Sequence, residues 1–374
     1  MAQTTVVHSS VQAVQRYSAM VAVDLAREGY WNSKFMSSGK NPTMPIWRLT
    51  DLEKMRGESV RYYLSLQLRG KPVQGEQKAE GTAEQLDTYS DLVYVDQLRK
   101  VVSCGNTNDQ QKTMLEFREI GRARQSEYMI RLFDETITMY LSGARGSNTD
   151  FIEATDFTGY ANNSFVAPDS YHQMFGGDGS ATSTGTLTAD DKFGLKLLDK
   201  AIAKAKTMGG GTARIPKLTA PKVGGKKRFL CVIHPIQEFD LRREQGELGW
   251  AQITKALATG ANESESNYTK DALGIYRDVV IQVHDANLTF STWGANSTLA
   301  GARALFCGVQ AGVLALGQPG EANTFSWKEE WKDFQYVLEI CTGTRWGVKK
   351  VTFNGLDFGV FALDTAADPT SITS

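Results

Sequence analysis

Cys231 and His234 stand three residues apart at the end of an apolar run, Phe229-Leu230-Cys231-Val232-Ile233. A thiolate and an imidazole at that spacing could share a metal ion or act as nucleophile and base. A metal site needs further ligands, and the sequence supplies no second pair. His8, His172 and His284 never fall four residues from another histidine, and neither HExxH nor CxxC occurs. No GxSxG turn exists to present a serine nucleophile. The stretch GGGTARIPK lacks the Gly-Lys-Ser/Thr ending of a phosphate loop, and FGGDGS neither follows a strand nor opens a helix. Asp190-Asp191, Glu329-Glu330 and Lys226-Lys227-Arg228 read as solvated charges. The sequence therefore predicts no catalytic, cofactor-binding or metal-binding residue. A hydrolase using His234 with the loop at 176–185 is the rival reading from the enzyme class.

The composition is that of a folded protein, with 374 residues, 41% hydrophobic and 22% charged. The 41 basic residues are balanced by 42 acidic ones, for a net charge of -1. Such a chain has no long-range attraction for nucleic acid or anionic lipid, so any contact with DNA is expected to be loose. Cys104, Cys231, Cys307 and Cys341 are far apart and mostly in apolar surroundings, as free buried thiols are in a reducing compartment. The start of the chain lacks a signal-peptide pattern, and no apolar run is long enough to span a bilayer, so no membrane partner is expected.

The elements that would position any site begin with an arm at 1–47. Its apolar residues, Trp31, Phe35, Met44, Ile46 and Trp47 among them, are too few for a core and too large to leave in water. Residues 57–69 alternate, with Val60, Tyr62 and Leu64 on one face, and a second strand-like run follows at 89–98. Between them, GKPVQGEQKAEGTAEQ has little to bury and predicts a projecting two-stranded ribbon within 48–107, one that leans on another molecule because an isolated ribbon is marginal. A 3.6-residue period then runs without proline from Asn108 to Leu141, predicting one helix about 50 Å long that stops at Gly143. It belongs to a unit at 108–186. The spacing predicts a helix at 187–207, a strand at 229–233, a helix at 236–244 and strands at 276–283 and 304–316. Together these form an α/β unit at 187–318. The remainder, 319–374, reads as β strands with turns at Thr342-Gly343 and Asn354-Gly355 and a polar tail.

This order of arm, ribbon, long helix, α/β unit and β-rich return resembles the major capsid proteins of tailed bacteriophages, the HK-ninety-seven type. The stretch 48–99 is similar to the major capsid family of N-four-like podophages. The matching residues are Arg69-Gly70, Pro72-Val73, Gly75, Glu80-Gly81, Leu86, Tyr89-Ser90 and Asp96-Gln97-Leu98-Arg99. Further likeness lies in Gly274-Ile275-Tyr276, Gly308-Val309-Gln310-Ala311, Gly347-Val348-Lys349-Lys350 and Phe353-Asn354-Gly355. The resemblance implies an α+β capsid fold with N-arm, extended loop, peripheral domain with spine helix, and axial domain. It implies a non-enzymatic shell protein of the virion, made in the host bacterial cytoplasm. Its implied partners are its own copies in pentamers and hexamers, loosely held packaged DNA, a separate scaffolding protein, a portal and a candidate decoration protein. A nanocompartment shell protein of the same fold is the nearest alternative. Contacts between copies are expected at Trp31, Trp47, Arg69, Lys71, Pro72, Val73, Glu76, Lys78 and Glu80.

Overall fold

A computed structural model describes residues 11–39, 41–50, 57–66, 68, 70–86, 88–113, 115–177, 180–209, 215–223, 225–243, 268, 272–317 and 325–369. The arm forms α1 (Val11–Glu28), α2 (Tyr30–Lys34), β1 (Met36–Ser38) and β2 (Ile46–Leu49). The ribbon is β3 (Ser59–Ser65) with β4 (Thr88–Tyr94), followed by β5 (Asp96–Asn106). Next come α3 (Thr107–Lys112), α4 (Phe117–Ser142), β6 (Gln173–Phe175) and α5 (Leu195–Thr207). A two-residue hairpin, β7 (Lys222–Val223) with β8 (Lys226–Lys227), precedes β9 (Phe229–Ile233) and α6 (Pro235–Arg243). The β-rich remainder begins with β10 (Gly274–Tyr276), β11 (Val279–Val283), β12 (Thr289–Trp293), β13 (Leu299–Cys307) and β14 (Gly312–Gly317). It ends with β15 (Phe325–Lys332), β16 (Val337–Lys350), β17 (Thr352–Phe353), β18 (Leu356–Asp357) and β19 (Val360–Ala366).

Two main sheets result, and the fold is α+β. The first runs β1-β2-β14-β16-β15, with β5 also on β16; the second runs β10-β11-β9-β13-β19-β6, with β12 on β13. Strand β9 is apolar and buried at every position because it is paired on both sides, parallel to β11 and antiparallel to β13. The units drawn along the sequence do not coincide with the sheets. The run at 304–316 is two strands in different sheets, so β14 leaves the 187–318 unit for the first sheet. Conversely, β19 from 319–374 lies between β13 and β6 in the second sheet, and β6 comes from 108–186. No turn forms at Thr342-Gly343, because β16 runs straight through it with β15 and β5 on its two sides. Asn354-Gly355 does turn, with φ of +49° and +80°, as the hairpin β17–β18 requires.

The predicted single helix is instead two pieces, α3 ending at Lys112 and α4 beginning at Phe117. Asn106 caps the first piece, its Oδ1 accepting the Asp109 N–H at 2.7 Å. The second piece, α4, stops where expected. Gly143 adopts φ +72°, its N–H bonds back to the Met139 and Tyr140 carbonyls, and a Cβ there would meet the Val166 carbonyl oxygen at 2.0 Å. Likewise α5 starts at Leu195, later than 187; the Thr188 N–H and hydroxyl instead bond the Asp191 carboxylate ahead of the helix.

From Leu132 to Ser142 α4 is buried on all sides. Met129, Leu132, Phe133, Ile137, Tyr140 and Leu141 join the main core, where Phe133 stacks on Trp346 at 4.0 Å between ring centres. Its polar residues are satisfied by other segments. Asp134 accepts the N–H groups of Tyr30 (2.9 Å) and Trp31 (3.1 Å), and Thr138 accepts the Trp31 indole N–H at 2.9 Å. Glu135 accepts from Arg131 and from the Ile152 N–H. The Ser142 carbonyl accepts from Arg303, whose guanidinium also holds Asp364 through bonds of 2.6 and 2.9 Å. Burial pushes the Asp134 carboxyl up to about 7, against the pull of the two backbone N–H donors.

Two outcomes test this packing. Arg303→Met leaves Asp364 buried without its cation and should cost about 3–5 kcal/mol of unfolding free energy, whereas Arg303→Met combined with Asp364→Leu should cost less; urea denaturation reads both. Asp134 is protonated more readily folded than unfolded, so its contribution is full below about pH 4 and is lost as pH rises through 7. Thermal melts between pH 5 and 8 should therefore fall less steeply with pH for Asp134→Asn than for the native chain.

Candidate subunit interface

The ribbon has a covered base and an uncovered tip. β3 and β4 pair in register from Ser59 opposite Tyr94 to Ser65 opposite Thr88. The inward residues Val60, Tyr62, Leu64 and Val93 pack with Trp47, Leu49, Val313, Ala315 and Phe353, so the base rests on its own chain. This corrects the expectation that the ribbon as a whole leans on another molecule. Polar ties reinforce it. The Tyr62 hydroxyl donates to Asp91 at 3.0 Å, and Lys349 Nζ lies 2.7 Å from the other Asp91 oxygen. Burial drives the Tyr62 hydroxyl well above its ordinary range. Asn163 exchanges two bonds with the Tyr94 backbone, 3.1 Å as acceptor and 2.8 Å as donor. Gly347 lets the Tyr94 carbonyl close in, since a Cβ there would lie 1.9 Å from its oxygen.

Beyond Ser65 the described hydrogen bonds are local. The Gly70 N–H donates to Glu84 at 2.5 Å, Gln77 N–H to the Gln74 carbonyl, and the Thr82 N–H and hydroxyl to the Ala79 carbonyl. Lys71, Pro72, Glu76, Lys78 and Glu80 are exposed and Val73 is half-buried. Leu68 and Leu86 also stand in water, 65% and 56% exposed. Arg69 lies outside the described residues. The two tryptophans of the expected contact set behave differently. Trp31 is fully buried against α4, and Trp47 is buried edge-on to Tyr62. The surface that these large arm residues need is provided by the chain itself, so neither is open to a neighbour.

A second exposed apolar group escaped sequence reading. Asp333, Phe334 and Gln335 all have positive φ in the turn between β15 and β16, leaving Phe334 wholly exposed with Tyr336 beside it. A three-residue run of left-handed backbone without glycine has no sequence signal that would announce it.

The residues considered for chemistry are structural. Cys231 lies in a strand with no exposure, and burial pushes its thiol well above the ordinary value. His234 Nδ1 accepts the Ile236 N–H at 3.2 Å at the start of α6, and burial lowers its pKa. His284 is pushed down to about 4 by burial and packs on Tyr30, ring centres 4.0 Å apart and planes tilted by 42°. Both histidines border a cleft of about 590 Å³ with Glu28, Glu127, Asp134, Glu135, Asp150 and Asp285, and among the described residues no serine, threonine or cysteine lines it. Among the described residues no cluster of His, Cys, Asp and Glu could hold a metal, and no helix is long and apolar enough to cross a membrane.

A family model described as phage capsid protein matches residues 4–369. The major capsid protein of Pseudomonas phage KPP25 is 23% identical over 371 residues, covering 91% of this chain and 92% of that one. The solved capsid of Ralstonia phage GP4 superposes with a TM-score of 0.83 at 37% identity, covering 98% of this chain and 99% of the other. The cyanophage Pam1 capsid superposes at 0.65 with 19% identity, over 99% and 96% of the two chains. The matching family is a phage one, and the nanocompartment and hydrolase alternatives find no support.

Base and tip should respond differently to substitution. Asn163→Ala removes both bonds to the Tyr94 backbone and should cost about 1–3 kcal/mol. Lys78→Glu and Glu80→Lys should leave the unfolding free energy of the unassembled chain within about 0.5 kcal/mol; chemical denaturation of the three variants compares them.

Proposed function

The chain belongs to the phage capsid protein family and is a shell-forming major capsid protein, and from this premise we propose that its copies join through the ribbon tip. The tip at 66–86 carries this reading: among its described residues it keeps apolar side chains in water and shows local hydrogen bonds, beyond a base that is already packed. Lys71, Pro72, Val73, Glu76, Lys78 and Glu80, with Arg69, are its contact residues. Their mixed charges suit a neighbour whose surface is also mixed, and apolar contact by Leu68 and Leu86 adds burial of about 25 cal/mol per Å² covered. The copies form pentamers and hexamers that close into an icosahedral shell around double-stranded DNA.

The formal charge of -1 fits a lining that encloses DNA without gripping it. Free cysteines fit synthesis in the host cytoplasm before incorporation into the virion. A separate scaffolding protein, a portal and a decoration protein complete the proposed partners.

Negative-stain electron microscopy of size-fractionated recombinant chain, alone and with its scaffolding partner, tests the proposal. Rings of five or six, sheets or closed shells are expected. Replacing residues 71–84 by a short Gly-Ser turn should leave the melting transition in place and abolish these assemblies. Assembly that survives the replacement unchanged would remove the tip from the contact.

A further inference from the structure

Lys350 ends β16 and Asp357 ends β18, on either side of the Asn354-Gly355 hairpin that carries the chain between the two sheets. Lys350 Nζ lies 2.7 Å from Asp357 Oδ1, with side chains 1% and 2% exposed. The approach is short but not aligned as a hydrogen bond. Among the described residues Nζ donates to nothing and Asp357 Oδ2 accepts nothing. An ammonium has three donors and a carboxylate several acceptor sites, so a buried ionic pair left this way is poorly satisfied. Burial lowers the Lys350 pKa and raises that of Asp357, both towards the uncharged forms, although each partner's charge opposes the shift. The nearby Arg303 cation, itself held by Asp364, weighs further against charge on Lys350.

The acid is also fixed in place. Asp169 Oδ2 accepts the Asp357 N–H at 2.6 Å and stands 2.7 Å from His172 Nδ1, and His172 has no exposure. Asp357 Cγ is within about 4 Å of the amine, one carbon–oxygen bond beyond the measured contact and close to the reach of a near-attack geometry. We propose that Lys350 and Asp357 condense into an isopeptide bond within the chain. The ammonium first passes a proton to the carboxylate, giving a neutral amine and a neutral acid. The Nζ lone pair then attacks Cγ. A second Nζ proton moves to the hydroxyl oxygen, the Cγ–O bond breaks and one water leaves. Nothing is oxidised or reduced. The product keeps one N–H and one carbonyl where the pair kept two charges. Asp169 acts as a positioning residue, holding the Asp357 backbone against the amine. Holding amine and carboxyl side by side makes their encounter intramolecular, which removes much of the entropic part of the barrier.

Intact-mass spectrometry of the denatured native chain decides the matter, taken from both unassembled protein and assembled shells. The expected result in at least one of the two is a mass lower than the sequence mass by one water. Trypsin should then fail to cut after Lys350, and fragmentation should show no breaks between 350 and 357. Lys350→Met with Asp357→Leu should restore the full sequence mass, and Asp169→Asn should lower the cross-linked fraction. The full mass in both preparations, with Lys350 cleaved normally, overturns the proposal. Loss of water mapped to Asp357 with Lys350 still cleaved indicates a succinimide and also overturns it.

Discussion

A helix buried on every side can keep polar side chains only if other parts of the chain come to meet them. That constraint organises this molecule around the last three turns of α4. Asp134 and Thr138 draw in Tyr30 and Trp31 and so fix the arm. Glu135 draws in Ile152, and Tyr140 bonds the Tyr160 and Asn163 backbones, which fixes the connection after the helix. The Ser142 carbonyl meets Arg303 on β13 and ties the helix end to the second sheet. Apolar burial supplies the bulk of the stabilisation, but it is non-directional. The directional bonds of α4 decide which segment lies where.

The same separation of roles governs the outside. Where the chain is satisfied by itself, as at the ribbon base, apolar residues are covered and polar ones have named partners. Where it is not, at the tip and at Phe334, large apolar groups remain in water. Covered surfaces stabilise the single copy, whereas uncovered apolar groups gain only when something covers them. Balanced charge serves the same end, since copies of one chain with a large net charge would repel one another on assembly.

Much of this was legible from residue types. The alternation at 59–65, the αL stop at Gly143, the buried run of β9 and the hairpin at Asn354-Gly355 each follow from local periodicity or turn chemistry, and all are in place. The misreadings share one cause, which is long-range pairing. Gly343 looks like a turn, yet sits mid-strand because Ser326 and Arg99 crowd it from both sides. β14 and β19 look like neighbours of the strands before them in sequence, and pair instead with strands of the other sheet. Trp31 was rightly read as needing cover, but its cover is Thr138, more than 100 residues away. The exposed tip was legible because its composition is polar and Gly-rich, with little to bury.

The chain passes between the two sheets three times: from β5 by way of α4 to β6, from β13 to β14, and from β16 through the hairpin to β19. Many identical copies folding close together invite exchange of equivalent parts between neighbours, which needs a single hinge and a separable lobe. Neither sheet is separable here. Lending the second sheet to another copy would mean crossing between copies at every passage, because β14, β15 and β16 of the first sheet lie between β13 and β19 along the chain. The interlacing thus keeps each copy a closed unit during crowding.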